Sequence, residues 1–225
     1  MNDIIRAVDL ALSYGSQPVL RGVSLAFDRP ESVAITGPSG SGKTTLLYVL
    51  SGLERATAGS VSLLGKKLSA LSADAVSNLR LSGVGFVFQS SDLVPELTLR
   101  QNIGLPLLLA GVGRRAVGAR VDELVSTLGL EESAGRRPSQ VSGGQAQRCA
   151  VARAVVARPK VVFADEPTGA LDQQNRSVVL GLLLDQVRRI EGLLVTVTHD
   201  PQIAAQFDRI LELVDGRVVG DDGGL

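Results

Sequence analysis

Several residue types that mark other kinds of protein are scarce in this sequence. Its 225 residues include one cysteine, one histidine and no tryptophan. A single cysteine cannot form an internal disulfide, which agrees with a reducing compartment, and a zinc site of the usual cysteine and histidine kind is excluded. Basic and acidic residues balance at 23 each, so no net charge favours nucleic acid or an anionic membrane. We therefore expect no nucleic-acid partner.

Long apolar runs are missing as well. A membrane-spanning helix needs about 20 consecutive apolar residues, whereas the nearest run, residues 103–112, is short and contains Gly104 and Pro106. The first residues include Asp3 and Asp9 and lack the regions of a signal peptide. The sequence therefore predicts a cytoplasmic protein that does not itself cross a membrane.

The apolar pattern predicts an α/β fold with two additions. Apolar strands at 33–36, 83–89, 160–165 and 193–198 favour a parallel sheet, and alternation in 4–28 and 59–64 predicts an antiparallel β subdomain beside it. Helical spacing in 97–109 and 117–128 predicts an inserted helical subdomain over 90–157, so that 1–89 and 158–225 form the core together with the β subdomain. A hairpin with a type I′ turn at Asp215-Gly216 should close the fold, and residues 221–225 should fray.

The stretch Gly37-Pro38-Ser39-Gly40-Ser41-Gly42-Lys43-Thr44-Thr45 matches the phosphate-binding pattern G-x-x-x-x-G-K-[ST] at every fixed position. Its glycines allow successive N–H groups to turn toward phosphate oxygens, and the following helix N-terminus adds partial positive charge. Lys43 would reach the β- and γ-phosphates of a nucleotide and the Thr44 hydroxyl would bind Mg²⁺. We expect the lysine side chain to be solvated until phosphate arrives. A plain Gly/Ser turn, the alternative, has no use for Lys-Thr at this offset.

A second glycine-rich turn, Val141-Ser142-Gly143-Gly144-Gln145, opens another helix, whose N-terminus is a second anion site. Two phosphate-binding helix starts separated by a helical insertion suggest that two molecules share one nucleotide. Arg148 and Arg153, further along this helix, are interpreted as solvated helix charges.

Polar residues end three of the predicted strands. Asp165 is suited to the water shell of Mg²⁺, and Glu166 is then free to polarise an attacking water. Gln89 and His199 end two other strands, where the carboxyl ends of parallel strands face a bound phosphate. An ordinary loop glutamine and a structural histidine are the alternatives.

Two further features are open to more than one interpretation. Tyr14, in a Ser-Tyr-Gly turn, could stack on an adenine ring or cap a sheet edge. Leu93, Val94 and Leu97 lie beside Pro95 in an expected surface loop, which favours a docking patch over core.

Taken in order, these motifs resemble those of the nucleotide-binding subunit of ATP-binding cassette (ABC) transporters over nearly the whole chain. Tyr14 falls at the adenine-stacking aromatic, 37–45 at Walker A, Gln89 at the Q-loop, 141–145 at the signature, 161–166 at Walker B, 169–172 at the D-loop and His199 at the switch histidine. The resemblance implies a head-to-tail dimer that sandwiches two ATP molecules. Each ATP is then bound by Walker A of one chain and, in trans, by Ser142, Gly143, Gly144 and Gln145 of the other.

The same resemblance implies the remaining roles. Glu166, His199, Gln89 and Lys43 would serve hydrolysis, and Thr44, Gln89 and Asp165 would hold Mg²⁺. The chain would be the ATP-hydrolysing motor of a permease, docked near Leu93, Val94 and Leu97 at the inner face of the cell membrane.

Residues 166–172 most resemble the branch that serves macrolide export, lipoprotein release and cell division, so export or mechanical transmission is expected. Import of an amino-acid type solute is the alternative. A soluble ABC ATPase of DNA maintenance would need a coiled coil or zinc modules between Walker A and the signature, and a P-loop kinase would leave the signature and D-loop unexplained.

Overall fold

The computed structural model describes residues 3–223, without the side chain of Gln174. In chain order the strands are β1 (Ile5–Tyr14), β2 (Gln17–Phe27), β3 (Ser32–Thr36), β4 (Ala58–Leu63), β5 (Lys66–Lys67), β6 (Val84–Val87), β7 (Val161–Asp165), β8 (Leu193–Val197), β9 (Arg209–Val214) and β10 (Arg217–Asp221). The helices are α1 (Lys43–Ser51), α2 (Ala73–Gly83), α3 (Leu99–Leu109), α4 (Arg114–Thr127), α5 (Gly143–Val155), α6 (Gln173–Arg189) and α7 (Pro201–Ala204), with 3₁₀ turns at Leu68–Ala70 and Pro138–Gln140. Among the described residues, no helix combines the length and apolarity that a bilayer span requires.

The chain divides into two compact units, Met1–Arg80 with Leu193–Leu225 (unit 1) and Leu81–Gly192 (unit 2). In unit 1, an antiparallel sheet has the order β2-β1-β4-β5, and alternate side chains of β1 and β2 are buried, as the apolar alternation predicts. The predicted antiparallel sheet is therefore confirmed.

A second ladder of unit 1 carries the phosphate-binding loop. Strand β3 pairs in parallel with β8 on one side and β9 on the other. Val33, Ala34 and Ile35 of β3 have no exposed surface, which is typical of a central parallel strand. The loop after β3 is thus held by a strand fixed on both sides.

Strand β10 completes this ladder, antiparallel to β9. Asp215 and Gly216 between them both have positive φ, 47° and 75°, as the predicted type I′ turn requires. The predicted fraying was wrong for Asp221, because Arg209 Nε and Nη2 donate to its carboxylate at 2.7 and 2.6 Å. Leu225 lies outside the described residues.

In unit 2, β6 and β7 form a parallel pair, and α5 packs against α3, α6 and β6. Three helices of unit 2 begin at a residue whose side chain caps the helix N-terminus. These residues are Thr98 for α3, Ser142 for α5 and Asp172 for α6. A side-chain oxygen at this position accepts a backbone N–H that the helix leaves unpaired. Helices α3 to α5 all lie within the predicted helical subdomain 90–157.

Candidate functional site

The phosphate-binding loop of unit 1 depends on glycine backbone geometry. Gly37, Gly40 and Gly42 have φ values of 136°, 79° and 98°, a region that other residues rarely adopt. A Cβ on Gly37 would lie 2.0 Å from the carbonyl oxygen of Leu213 in β9, and a Cβ on Gly42 would lie 3.1 Å from Val19 Cγ1 in β2. The neighbouring strands therefore leave no room for a side chain at Gly37 and little room for one at Gly42.

Lys43 lies inside this loop. It is only 8% exposed, and its Nζ donates to the carbonyl oxygens of Gly37 at 2.9 Å and Pro38 at 2.7 Å. The expectation of a solvated lysine was wrong, because the loop wraps around the ammonium and supplies acceptors in place of water.

Ser41 gives the test of whether this loop fits phosphate. Its Oγ is buried and has no hydrogen-bond partner among the described residues. Buried hydroxyls are normally hydrogen-bonded. A donor hydroxyl and a buried ammonium in one glycine-rich loop are the groups that a polyphosphate satisfies, so the loop fits the phosphates of ATP.

Tyr14 ends β1 and is 53% exposed. Its hydroxyl donates to the Glu54 carboxylate at 2.6 Å. That hydrogen bond raises the pKa of Tyr14 above its ordinary value of 10.0, with a smaller contribution from burial. The hydroxyl therefore stays protonated at neutral pH and anchors a ring whose surface remains accessible, an arrangement compatible with both interpretations of Tyr14.

His199 lies at the same edge of its sheet as the loop. Ile35 of β3 stands opposite Val197 of β8 in a parallel register, and Thr198 N donates to Ile35 O at 3.1 Å. Gly37 lies two residues after Ile35, and His199 lies two residues after Val197. Unit 1 thus places both at the carboxyl ends of adjacent parallel strands, the usual ligand-binding edge of an α/β sheet.

Gln89 and Glu166 come together in unit 2. Val87 of β6 stands opposite Ala164 of β7, so both side chains leave the strand pair at the same level. A Cβ built on Gly169 would lie 3.1 Å from Gln89 Nε2 and 3.1 Å from Glu166 Oε2, so the two groups converge on one point. Glu166 has φ 44°, a conformation that costs energy and is often found at functional sites.

The second glycine-rich turn is fixed by its own side chains and by α6. Ser142 and Gln145 form a capping box at the start of α5. A Cβ on Gly144 would lie 2.6 Å from Asn175 Oδ1, and Asn175 donates from N and Nδ2 to the Asp172 carboxylate at 2.9 and 2.7 Å. The first turns of α5 and α6 are therefore packed closely.

Sequence reasoning missed how α5 holds the segment after Gln89. The amide of Gln147, which is 2% exposed, accepts from Ser91 Oγ at 2.5 Å and donates to Phe88 O at 3.0 Å. Arg153 Nη1 and Nη2 donate to Asp92 O at 2.6 Å and Ser91 O at 2.8 Å. A polar residue on the small, apolar face of a helix is the signal that could have found Gln147.

The interpretation of Arg148 and Arg153 as solvated charges was wrong. Arg148 Nη1 donates to Leu128 O at 3.0 Å, and burial lowers the pKa of Arg153 below its ordinary value. Both guanidinium groups therefore donate to backbone carbonyl oxygens. Buried donors and acceptors need such partners.

The loop predicted to dock a partner is itself well ordered by hydrogen bonds. Leu93, Val94 and Leu97 are half-buried. Buried Asn102 bonds to Val94 N at 2.8 Å, Val94 O at 3.1 Å and Leu97 O at 3.2 Å. Asn102 thus fixes the backbone of a loop whose apolar side chains remain partly accessible.

Within residues 3–223 no group of three or more His, Cys, Asp or Glu side chains could hold a metal ion. Mg²⁺ in nucleotide sites commonly uses only one or two protein groups, with phosphates and water completing its shell. Thr44 at the start of α1 and half-buried Asp165 at the end of β7 each carry a side-chain oxygen, the type of ligand that Mg²⁺ prefers.

The family with the description ABC transporter matches residues 20–169. The chain belongs to the ABC transporter family. It is an ATP-binding ATPase cassette with the mixed α/β fold of that family.

Two curated relatives of this ABC cassette are macrolide export ATP-binding/permease proteins named MacB. The protein of Shigella flexneri is 42% identical over 223 residues, which is 97% of this chain and 34% of that protein. MacB 1 of Aeromonas hydrophila is 47% identical over 203 residues, or 90% and 31%. The chain therefore spans about a third of the length of these relatives.

Solved ABC cassettes resemble the chain along nearly its full length. A dimeric post-hydrolysis structure of the ATP-binding cassette MJ0796 bound to ADP and Pi is 34% identical, with a TM-score of 0.89 and coverage of 97% of both chains. The structure of cbiO1 from Clostridium perfringens, part of the ABC transporter complex cbiONQ, is 27% identical, with a TM-score of 0.88 and coverage of 98% and 88%.

Proposed function

We propose that this ABC cassette is the MgATP-hydrolysing motor of an export or mechanotransmission system, in which two copies bind two ATP molecules head to tail and drive a membrane permease. The observation that carries the proposal is the loop 37–45, which combines the buried Lys43 ammonium with the buried Ser41 hydroxyl, a group that lacks a partner within residues 3–223. The export direction rests on the relatives, which are named macrolide export ATP-binding/permease proteins.

The residues divide the work of hydrolysis. Lys43, Ser41 and the loop N–H groups bind the β- and γ-phosphates, and Tyr14 stacks on adenine. Glu166 accepts a proton from the attacking water, while Gln89 and His199 orient that water and the γ-phosphate. The closeness of Gln89 to Glu166 supports this division, because a general base must lie within hydrogen-bond reach of the proton that it takes.

Thr44 and Asp165, with Gln89, are the residues that would hold Mg²⁺. When bound, the ion supplies positive charge against the phosphate oxygens. The neutral and anionic oxygens of these side chains suit a hard cation.

Dimerisation would place the exposed residues Ser142 and Gly143 on the partner's ATP. The dimeric structure of the MJ0796 cassette supports this arrangement. The start of α5 offers backbone N–H donors and a positive dipole end to a phosphate.

The permease would dock on Leu93, Val94 and Leu97. Gln147 and Arg153 support the proposal, because they tie the backbone of residues 88–92 to α5, the helix that begins at the signature. A shift of α5 on ATP binding would then move the docking loop with it.

Glu166→Gln tests the assigned chemistry. We expect MgATP to bind normally while hydrolysis falls by roughly 10²–10⁴, the usual contribution of a positioned general base. Nucleotide titration and a phosphate-release assay measure the two quantities. Wild-type turnover in this variant would refute the role of Glu166.

A mixing experiment tests the shared site. Chains with Lys43→Ala and chains with Gly143→Asp should each be inactive, whereas mixed dimers contain one intact composite site and should recover ATPase activity. If confirmed heterodimers stay inactive, either both elements serve the same nucleotide or hydrolysis requires two intact sites.

A further inference from the structure

The segment of unit 1 that follows α1 is fixed by hydrogen bonds on two sides. The backbone N–H groups of Leu53 and Glu54 both donate to Tyr48 O of α1, at 2.9 and 3.1 Å. Further along, N and Oγ1 of Thr57 donate to Ala11 O of β1 at 2.8 and 3.0 Å. The segment is therefore held between the helix that follows the phosphate-binding loop and the strand beside it.

From this fixed segment, Glu54 holds the hydroxyl of Tyr14. Tyr14 Oη donates to Glu54 Oε2 at 2.6 Å, a length typical of a hydroxyl bonded to an ionised carboxylate. Glu54 raises the pKa of this hydroxyl, and a hydrogen bond with the side chain of Thr45, in the first turn of α1, opposes that rise. The tip of the tyrosine ring therefore contacts residues from near both ends of α1.

The rest of the Tyr14 side chain is open to solvent, because the residue is 53% exposed at the end of β1. Exposed side chains that lack a fixed partner change rotamer within nanoseconds. Ordering such a side chain at the moment of binding lowers the affinity for the ligand. A hydrogen bond that restricts the ring beforehand reduces this loss.

We propose that Glu54 is a positioning residue for the nucleobase, whose carboxylate holds the Tyr14 ring in the orientation that stacks on adenine. This inference rests on the proposed function, in which Tyr14 stacks on adenine and the loop 37–45 binds the phosphates. Since α1 begins in that loop and its far end is bonded to the segment that carries Glu54, one helix fixes both contacts with the nucleotide.

Glu54→Ala in the purified chain tests the inference with two ligands, ATP and inorganic tripolyphosphate, which has no adenine. We expect the Kd for ATP to rise by about 3-fold, a part of the roughly 10-fold that corresponds to one aromatic stack. The Kd for tripolyphosphate should not change, because the phosphate-binding loop is untouched. Isothermal titration calorimetry measures both constants. A role of Glu54 in the stability of unit 1 alone would affect the two ligands equally.

Two variants serve as controls. Asp74→Ala removes an exposed carboxylate of the same unit, in the first turn of α2, and should keep both dissociation constants. Glu54→Gln keeps an oxygen that can accept from the tyrosine hydroxyl, so it should restore most of the ATP affinity that Glu54→Ala loses.

Tyr14→Phe removes the other partner of the hydrogen bond and keeps the ring. It should also raise the Kd for ATP alone, and adding Glu54→Ala to it should have little further effect, since groups in contact are not additive. The inference is overturned if the two effects add fully, if Glu54→Ala weakens both ligands equally, or if Glu54→Ala matches Asp74→Ala.

Tyr14→Ala, titrated in parallel, keeps the two proposals apart. If this variant binds ATP as tightly as wild type does, stacking of Tyr14 on adenine is wrong and the role of Glu54 is wrong with it. If Tyr14→Ala weakens ATP but not tripolyphosphate while Glu54→Ala changes neither, only the role of Glu54 is refuted.

Discussion

Glycines near the functional residues of the two units face different kinds of neighbour. In unit 1 a Cβ on Gly37 would collide with the backbone oxygen of Leu213 at 2.0 Å. In unit 2 a Cβ on Gly144 or Gly169 would meet the ends of side chains instead. A carbonyl inside a sheet ladder cannot move without breaking the ladder, whereas a side-chain end can rotate or be removed by mutation. We therefore expect that no second substitution restores stability after Gly37→Ala, whereas a second substitution can restore part of the stability lost in Gly144→Ala.

Gly37→Ala should have the largest effect. The new methyl group would combine a collision with β9 and a positive φ of 136°, and overpacking alone typically costs about 1–3 kcal/mol. We expect loss of ATP binding and a clearly lower Tm. Thermal unfolding and nucleotide titration measure both.

Gly40→Ala is the matched control in the same loop. Gly40 also has positive φ, 79°, but a Cβ there meets nothing within 4 Å. Its cost should be limited to the roughly 1–2 kcal/mol of a left-handed residue. Equal Tm values for the two variants would mean that contact with Leu213 is not what requires glycine at position 37.

Lys43→Ala tests the other half of the loop. Because Lys43 Nζ is buried and bonded to two carbonyl oxygens, its loss should abolish tight ATP binding and also lower stability by about 1.5–3 kcal/mol, the usual value of a hydrogen bond to a charged group. Lys66→Ala, at an exposed lysine of the same unit, is the control. If both variants unfold at the same denaturant concentration, the loop does not depend on the ammonium.

Gly144→Ala should lower stability less than Gly37→Ala does, and a second substitution should restore part of the loss. Its methyl group would meet Asn175 Oδ1 at 2.6 Å, and Asn175 cannot turn away freely while it donates to Asp172. We expect a loss of stability at the low end of the ~1–3 kcal/mol of overpacking. Adding Asn175→Ala should recover part of it, because the side chain in the way is gone.

A double-mutant cycle from chemical denaturation measures this coupling, which neighbours in contact should show. Gly118→Ala on α4, where a Cβ meets nothing within 4 Å, controls for the intrinsic gain of alanine in a helix. If the effects of Gly144→Ala and Asn175→Ala are additive, the Asn175 side chain is not what requires glycine at position 144. The proposed difference between the glycines of the two units would then be wrong.

Some of these features could be predicted from the sequence, and others could not. The loop 37–45 and the paired strands were predictable, because glycine spacing and apolar periodicity are local properties of the chain. The convergence of Gln89 and Glu166 on Gly169 was not, since it depends on the register of β6 with β7. The burial of Lys43 was also missed, because the carbonyls that accept its protons belong to the backbone and leave no trace in residue type.

The smallest predicted effect concerns the end of β10. Arg209 donates twice to Asp221 and once to Glu31, and its guanidinium lies 5.1 Å from the centre of the Phe27 ring. The hydrogen bonds from Arg209 hold the pKa of Asp221 below its ordinary value of 3.8. A carboxyl with a lowered pKa in the folded state stabilises the fold above pH 3.8, and this contribution disappears as pH falls through the lower folded value.

Asp221→Asn should therefore lower the urea midpoint at about pH 7 slightly, and the difference from wild type should shrink once the pH falls below 3.8. Asp122→Asn is the control, because Asp122 pairs with Arg100 at an exposed position, and exposed pairs contribute little. Urea unfolding at a series of pH values measures the difference. If it stays constant through the acid range, Asp221 stabilises the hairpin through its shape and hydrogen-bond geometry, and its charge contributes nothing.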